Sequence, residues 1–409
     1  MNPGDIAWVL VSAALVLFMV PGLALFYGGL VRSKNVITTI IQCFASIGVI
    51  SVLWVAVGYS LVFGADHGGV IGDFSKTMLS SVGATPSSFA PAVPALAFMA
   101  FQMMFAIITP ALILGAFAER MTLRGYVMFT GLWSLVVYVP FAHWVWGGGF
   151  LGSEGLGAID FAGGAVVHET AGAAALAAAL YFGRRKNPVT RPYNIPMVLL
   201  GAGILWFGWF GFNGGSALAA NSVAAVAVVN TQLGAATGLL AWMIVEWIRA
   251  RKPSGIGIAA GSIAGLAAIT PAAGYVPPWA ALIIGAAAGV LCYGAVELKT
   301  RLRLDDVLDV VGVHMVGGFI GVVLTGVFAS LAINAGGAAG GWEQTGKQAV
   351  LAVVGIVYPF VVTLLVLWVT DRVVGLKLTE QEDADGLDVS QLSSPSPAGS
   401  EVVGDPGAS

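Results

Sequence analysis

The segment from Asp160 to Gly172 reads DFAGGAVVHETAG, placing His168 and Glu169 side by side in a run of small apolar residues. His168-Glu169 followed by Thr-Ala matches the first four positions of the zinc-binding helix pattern H-E-x-x-H, but the fifth position is Gly172, so the second imidazole is missing. Asp309 and His314 form another acid–histidine pair far along the chain. Two histidines from distant segments are too few to specify a metal, so no metal, cofactor or enzymatic reaction is expected. They suit a different chemistry: two neutral imidazoles share a hydrogen bond, one nitrogen donating and one accepting, which lowers the cost of burying both. The plainer alternative is two separately packed histidines. His143, near a helix end, and His67, in a loop, are given no role.

The elements that carry these groups belong in lipid. Of the 409 residues, 58% are hydrophobic and 10% charged, and the mean hydropathy is +0.89, far from a soluble chain. Eleven apolar runs are long enough to cross a bilayer as helices: 6–31, 37–64, 91–117, 124–146, 160–182, 194–213, 222–248, 255–274, 279–298, 307–334 and 348–371. A membrane barrel would show shorter alternating segments, and none occur. The first run is read as a retained helix, since only Asp5 precedes it and a signal peptide needs a basic start. Cys43 and Cys292 lie inside apolar runs and read as small packing residues.

Basic residues set the orientation. Arg32, Lys34, Arg120, Arg124, Arg184 to Lys186, Arg191, Arg249 to Lys252, Lys299 to Arg303, Arg372 and Lys377 fall at alternate span ends, against only Lys76 and Lys347 on the other side. The basic side is cytoplasmic, so the N-terminus lies outside and the C-terminus inside. Net charge, −3, says little about partners.

The first ten spans divide into two fives, 6–182 and 194–334. GLALFYGG (22–29) answers GWFGFNGGS (208–216), and the Asp160/His168 pair answers Asp309/His314. An odd number of spans per half inverts one half relative to the other, bringing both histidines to mid-membrane depth. Residues 1–373 make a membrane domain, with 348–371 as its added helix. Residues 374–409 make an acidic, then Ser/Pro/Gly-rich tail, whose last ~20 residues are expected to be disordered.

LFYGGLVRSKNV, FQMMFAIITPALILGAFAERM, AHWVWGGG, DFAGGAVVH, GWFGFNGGSA, DDVLDVVGVH and VGLKLTEQEDADGLDV stand in this order along the chain. Together they resemble the Amt/Mep/Rh family of ammonium transporters over nearly the whole length, and the bacterial ammonium transporter branch more than the Rhesus branch. The resemblance implies an all-α trimer of eleven-helix protomers with an inverted five-plus-five repeat, one pore per protomer, in the inner membrane.

Residue by residue, the resemblance makes Phe101, Phe105, Trp146 and Ser216 an outer site for ammonium, where aromatic faces and a hydroxyl would hold the cation. Phe105 and Phe212 resemble a stacked gate, and His168 and His314 a twin-histidine pair below it. Asp160 resembles a carboxylate near the entrance, whose plausible work is capping the local backbone. Gly375 and Asp388 resemble a hinge and an anchor in a tail that packs under a neighbouring pore. Ammonium, with methylammonium as its analogue, would be the substrate. A PII-type signalling protein at the cytoplasmic face, membrane lipid and two further copies of the chain would be the partners, with no nucleic acid among them.

Potassium matches ammonium in size and charge but has no proton to lose, so a narrow apolar passage that carries neutral ammonia would exclude it. The proton either stays outside or crosses separately. Glu169 departs from the family pattern, which has an uncharged residue there. Helix geometry turns it about 100° from His168 toward a neighbouring helix. It is either a protonated or hydrogen-bonded carboxyl packed between helices or protomers, or a group near the histidine pair that raises its proton affinity or extends a proton path. Other functions open to this fold are an ammonium sensor and a Rhesus-like gas channel.

Overall fold

The computed structural model describes residues 1–185 and 191–393. Lys186 and the tail beyond residue 393, both named above, lie outside the described residues. In a bilayer the backbone must satisfy its own hydrogen bonds, and apolar runs of this length do so as helices.

Ten helices among the described residues are long and apolar enough to cross a membrane: α1 (Pro3–Leu30), α2 (Ser33–Phe63), α3 (Ala95–Phe117), α4 (Leu123–Trp146), α5 (Gly164–Phe182), α6 (Ile195–Gly215), α7 (Ser222–Ala250), α9 (Pro278–Leu302), α10 (Val311–Phe328) and α11 (Trp342–Val374). The shorter apolar helix α8 (Gly255–Ile269) occupies the position of the remaining expected span. Among the described residues the regular structure is helical apart from an isolated bridge between Met121 and Lys377 and two small antiparallel pairs in the loop between α2 and α3: β1 (Asp66–His67) with β2 (Ile71–Gly72), and β3 (Pro86–Ser87) with β4 (Ala90–Pro94).

Helices α1 and α6, the first of each half, pack with backbones nearly touching. A Cβ added at Gly201 would lie 2.4 Å from the Phe26 nitrogen and 2.6 Å from the Gly22 oxygen. Small residues permit this approach, which is how membrane helices gain contact without a hydrophobic drive between them.

Helices α5 and α10 open in the same way, each on a π-helical turn, Gly164–Glu169 and Val311–Met315, that carries one of the two histidines. The acid matching Asp160 in the second half is Asp306, not the expected Asp309. Each stands eight residues before its histidine and binds backbone N–H groups of its turn. Asp309 instead pairs with the Lys299 ammonium. A lysine on α9 has claimed it, and its five-residue interval to His314 departs from the eight that Asp160 and Asp306 share.

Past α11 the chain turns at Gly375, whose φ of 73° lies in the left-handed region that favours glycine. Two short helices follow, α12 (Glu380–Asp385) and α13 (Leu387–Ser390). Thr379 and Glu382 close a capping box on the first. The tail docks on its own chain: Arg32 pairs with Asp383 at 3.0 Å, Asn35 accepts from the Leu387 N–H at 2.8 Å, and Asp388 accepts from Ile37 and Thr38 near the start of α2.

Candidate functional site

Two cavities face each other through the middle of the helices. The outer one, about 360 Å³, is lined by Phe105, Trp146, Asp160, Ser216 and neighbours. The inner one, about 240 Å³, is lined by Tyr27, His168, Trp209, Phe212 and His314 among others. Phe105 and Phe212 stand between them with ring centroids 4.3 Å apart, and both are buried.

Around this constriction the expected residues gather in a file. Trp146 meets Phe105 edge-on at 6.0 Å and 87°, while its indole N–H donates to the Asp160 carbonyl at 2.9 Å. Ser216, the C-cap of α6, donates its hydroxyl to the Phe212 carbonyl at 2.8 Å, which leaves its oxygen lone pairs for a donor. Phe101 packs edge-on behind Phe105 at 4.9 Å and is buried; it is not among the residues lining the outer cavity. Below the constriction, Phe212 stacks on His168 at 5.9 Å and His168 on His314 at 5.2 Å.

The two imidazoles meet through Nδ1 and Nδ1 at 3.3 Å. Such a contact works only if one nitrogen is protonated and the other is not, so the pair shares one proton along this edge. Both rings are buried, and the Nε2 of His168 has no protein partner among the described residues. Charge brought here would be expensive, whereas a small neutral donor and acceptor would find a polar edge in an apolar tube.

The π-helical turns explain the meeting. Asp160 accepts from four successive N–H groups, Gly163 and Gly164 on Oδ1 and Ala165 and Val166 on Oδ2, at 2.7 to 3.0 Å. This fixes the entry of α5, as capping requires of a helix start buried away from water. Asp160 is therefore saturated by backbone and its carboxylate is a structural cap. Asp306 is buried and accepts from Val311 at 2.7 Å, with its second oxygen unpartnered among the described residues. Burial pushes its carboxyl up to about 6.

Glu169 points away from the cavities, as helix geometry required. It is fully buried and neither carboxyl oxygen has a protein partner among the described residues. Its room comes from glycines on two neighbouring helices: a Cβ at Gly355 of α11 would lie 2.6 Å from Oε2, and one at Gly318 of α10 3.0 Å from Cγ. No hydrogen bond joins the carboxyl to either histidine among the described contacts.

Two residues that the sequence reading passed over belong to the site. Trp209 stacks on His168 at 5.2 Å and 27°, held by an indole hydrogen bond of 2.9 Å to Thr270. It stands one helical turn before Phe212, a spacing that places both on one face of α6. Asp306 is the other, and its signal was the repeated eight-residue interval.

Helices of membrane-spanning length around two cavities, with a phenylalanine constriction between them and a buried imidazole pair below it, define a multi-pass membrane protein. The profile of the Ammonium Transporter Family matches residues 7–395, and the chain belongs to that family. Ammonium transporters from Bacillus subtilis and Aquifex aeolicus are 45% and 48% identical to it, covering 95% and 94% of this chain and 97% and 91% of theirs. The crystal structure of Candida albicans Mep2 superposes with a TM-score of 0.88 at 39% identity, covering 93% of this chain and 88% of that one. A solved structure described as a sensor Amt protein gives a TM-score of 0.86 at 30% identity, covering 94% and 97%.

Proposed function

We propose that this chain carries ammonium across the cytoplasmic membrane by taking the ion at Trp146, removing its proton at the phenylalanine constriction and passing ammonia along the histidine pair. The observation that carries the reading is the file Trp146, Phe105, Phe212, His168 and His314 between two cavities. At the top, ammonium gains attraction from the Trp146 face and donates to the Ser216 oxygen. At the constriction two buried rings have centroids 4.3 Å apart, and an apolar gap is costly for a bare cation, so potassium stops there. Below it, ammonia, which both donates and accepts, meets the polar edge of the imidazoles. Phe101 supports the Phe105 ring from behind.

Tail and assembly follow the same reading. The protein works as a homotrimer, residues 1–373 forming the pore domain and 374–409 the tail, with the N-terminus outside. Gly375 turns the chain into the tail and Asp388 holds it against Ile37 and Thr38, on the face where a PII-type protein would meet it. A sensing role is favoured by one observation, the similarity to the sensor Amt structure at 30% identity.

Proteoliposomes pulsed with ammonium test this, with potassium pulses and a His168→Ala variant as controls. An ammonium-evoked current, absent with potassium, is expected if a charge crosses with each ammonia; an internal pH change without current is expected for neutral passage. Neither signal above that of protein-free vesicles would sink the transport reading and leave the sensor.

A further inference from the structure

His143 is fully buried, and both of its ring nitrogens face acceptors. Nδ1 lies 2.7 Å from the Val62 carbonyl and Nε2 lies 2.9 Å from the Asp66 carboxylate. A carbonyl cannot donate, so Nδ1 must carry a proton. The His143 hydrogen bond, above all, holds the Asp66 carboxyl below the usual carboxylate range, so that group is an ion and Nε2 must donate to it. The ring thus holds two protons and is a buried cation paired with one exposed acid.

This pair is the peg on which the Trp146 turn is wound. A Cβ at Gly147, next to Trp146, would lie 2.0 Å from the Val62 oxygen and 2.6 Å from His143 Nδ1. Glycine there lets the turn close over the ring, and the His143 carbonyl accepts from Gly147 and Gly149 at 2.9 and 3.0 Å. The β1–β2 hairpin is sewn to the same turn: Phe150 N–H donates to the Gly69 carbonyl at 3.0 Å, and the Trp144 indole to the Val70 carbonyl at 2.8 Å. Asp66 closes the hairpin by accepting from Gly69 on both oxygens.

We propose that His143 and Asp66 are positioning residues for the outer ammonium site, a proton-holding clamp that fixes the Trp146 turn and lets go as the outside becomes alkaline. The inference rests on Trp146 being the capture residue. The sign follows from proton count: with Asp66 ionised, the clamped state binds one proton more than the released one, so the clamp is lost as pH rises. Once the ring keeps a single proton, either Val62 or Asp66 faces a nitrogen lone pair.

Other titratable groups lie near the pair. His67 is beside Asp66 on β1. Asp73 accepts from Ala65 and Ser75, and the Lys76 ammonium donates to the Phe63 carbonyl near the ring of Tyr59. Glu169, from the π-helical turn of α5, lies by Gly355 on the Phe141 side of α4.

The test is ammonium uptake by the full-length protein in liposomes over a range of outer pH, with KM expressed as ammonium ion. In the wild type KM is expected to rise about tenfold on the alkaline side, the scale of one lost charged hydrogen bond, with Vmax little changed. Asp66→Asn is the discriminating variant, because its amide donates to a singly protonated ring and needs no extra proton. Its KM should stay flat where that of the wild type climbs. Asp66→Ala should raise KM at every pH.

If Asp66→Asn follows the wild-type curve, the clamp is overturned. Trp146→Leu separates the two readings: an unchanged KM there removes the capture site itself, whatever Asp66 does. Should the Asp66 variants fail to fold, hydrogen exchange of residues 64–73 in the wild type decides. Exchange that accelerates at alkaline pH beyond the intrinsic rate supports release, and exchange that tracks the intrinsic rate refutes it.

Discussion

Asp160 and Asp306 stand eight residues ahead of His168 and His314, and each closes on the π-helical turn that carries its histidine. The two are equivalent in place and unequal in load. Asp160 accepts four N–H groups on two oxygens; Asp306 leaves one oxygen idle among the described residues. An amide in place of the acid has one acceptor oxygen, so Asp160→Asn sets its NH2 against two N–H donors. That is expected to cost about 2–4 kcal/mol and to impair folding or transport. Asp306→Asn should stay within about 1 kcal/mol. Thermal unfolding of both variants in the same detergent checks the ranking, which fails if Asp306→Asn is the more damaged.

The same acid gives a pH dependence. Burial raises the Asp306 carboxyl to about 6, so between its unfolded value and about 6 the folded chain holds a proton that the unfolded chain has released. Stability therefore falls as pH rises through this window and levels off above it, by about 2–3 kcal/mol at most. Asp306→Asn should flatten this segment of the stability curve. An unchanged slope in the variant would place the titration on another group.

Much of this was legible before any coordinates. Ten spans of full length and the shorter apolar helix α8 fall where apolar runs were visible, because hydrocarbon thickness and backbone self-satisfaction leave few alternatives for such runs. His168 and His314 were conspicuous because ionisable groups inside such runs are rare, and Glu169 faced a neighbouring helix because rotation per residue is fixed. What a sequence does not display is competition among partners. Lys299 took Asp309 and left Asp306 to hold the second turn, while Trp209 was hidden among other aromatics until its ring lay on His168. The doubly donating ring of His143 depends on a carbonyl and a carboxylate from another helix and a hairpin, which no local pattern encodes.

The tail's attachment is open to measurement through two residues. Asp388 accepts from Ile37 and Thr38 at 3.1 and 2.7 Å, so Asp388→Ala removes a helix cap and should cost about 1 kcal/mol. Gly375→Ala forces a Cβ into the left-handed region and should cost a similar amount. Limited proteolysis after residue 374 should speed up in both variants while the membrane domain stays intact. Unaltered cleavage in Asp388→Ala would mean that the tail's other contacts, Arg32 with Asp383 and Asn35 with Leu387 among them, hold it without Asp388.

Phe212 separates the cavities and also covers His168. Phe212→Ala should join the two spaces and admit water to the imidazoles. Hydration lowers the penalty on a bare ion, so a potassium current is expected to appear beside the ammonium response. Ammonium pulses with and without potassium would show it, and continued exclusion of potassium would move the barrier elsewhere in the passage.

Glu169 and Gly355 make a closed test of what the buried carboxyl does. The side chain fills a buried slot that an alanine at 355 would invade, its Cβ 2.6 Å from Oε2. An unpaired charge is costly there, so a neutral acid is the expected state, and Glu169→Gln, equal in size and uncharged, should then leave transport, charge movement and pH dependence unchanged. Gly355→Ala should destabilise by about 1–3 kcal/mol through overpacking. Glu169→Ala with Gly355→Ala should recover part of that loss, because the new methyl group enters the space the carboxyl vacated. The pair is then coupled in a double-mutant cycle. A Glu169→Gln variant with altered pH dependence would instead assign the carboxyl to proton handling, and the absence of coupling would show that Gly355 serves another contact.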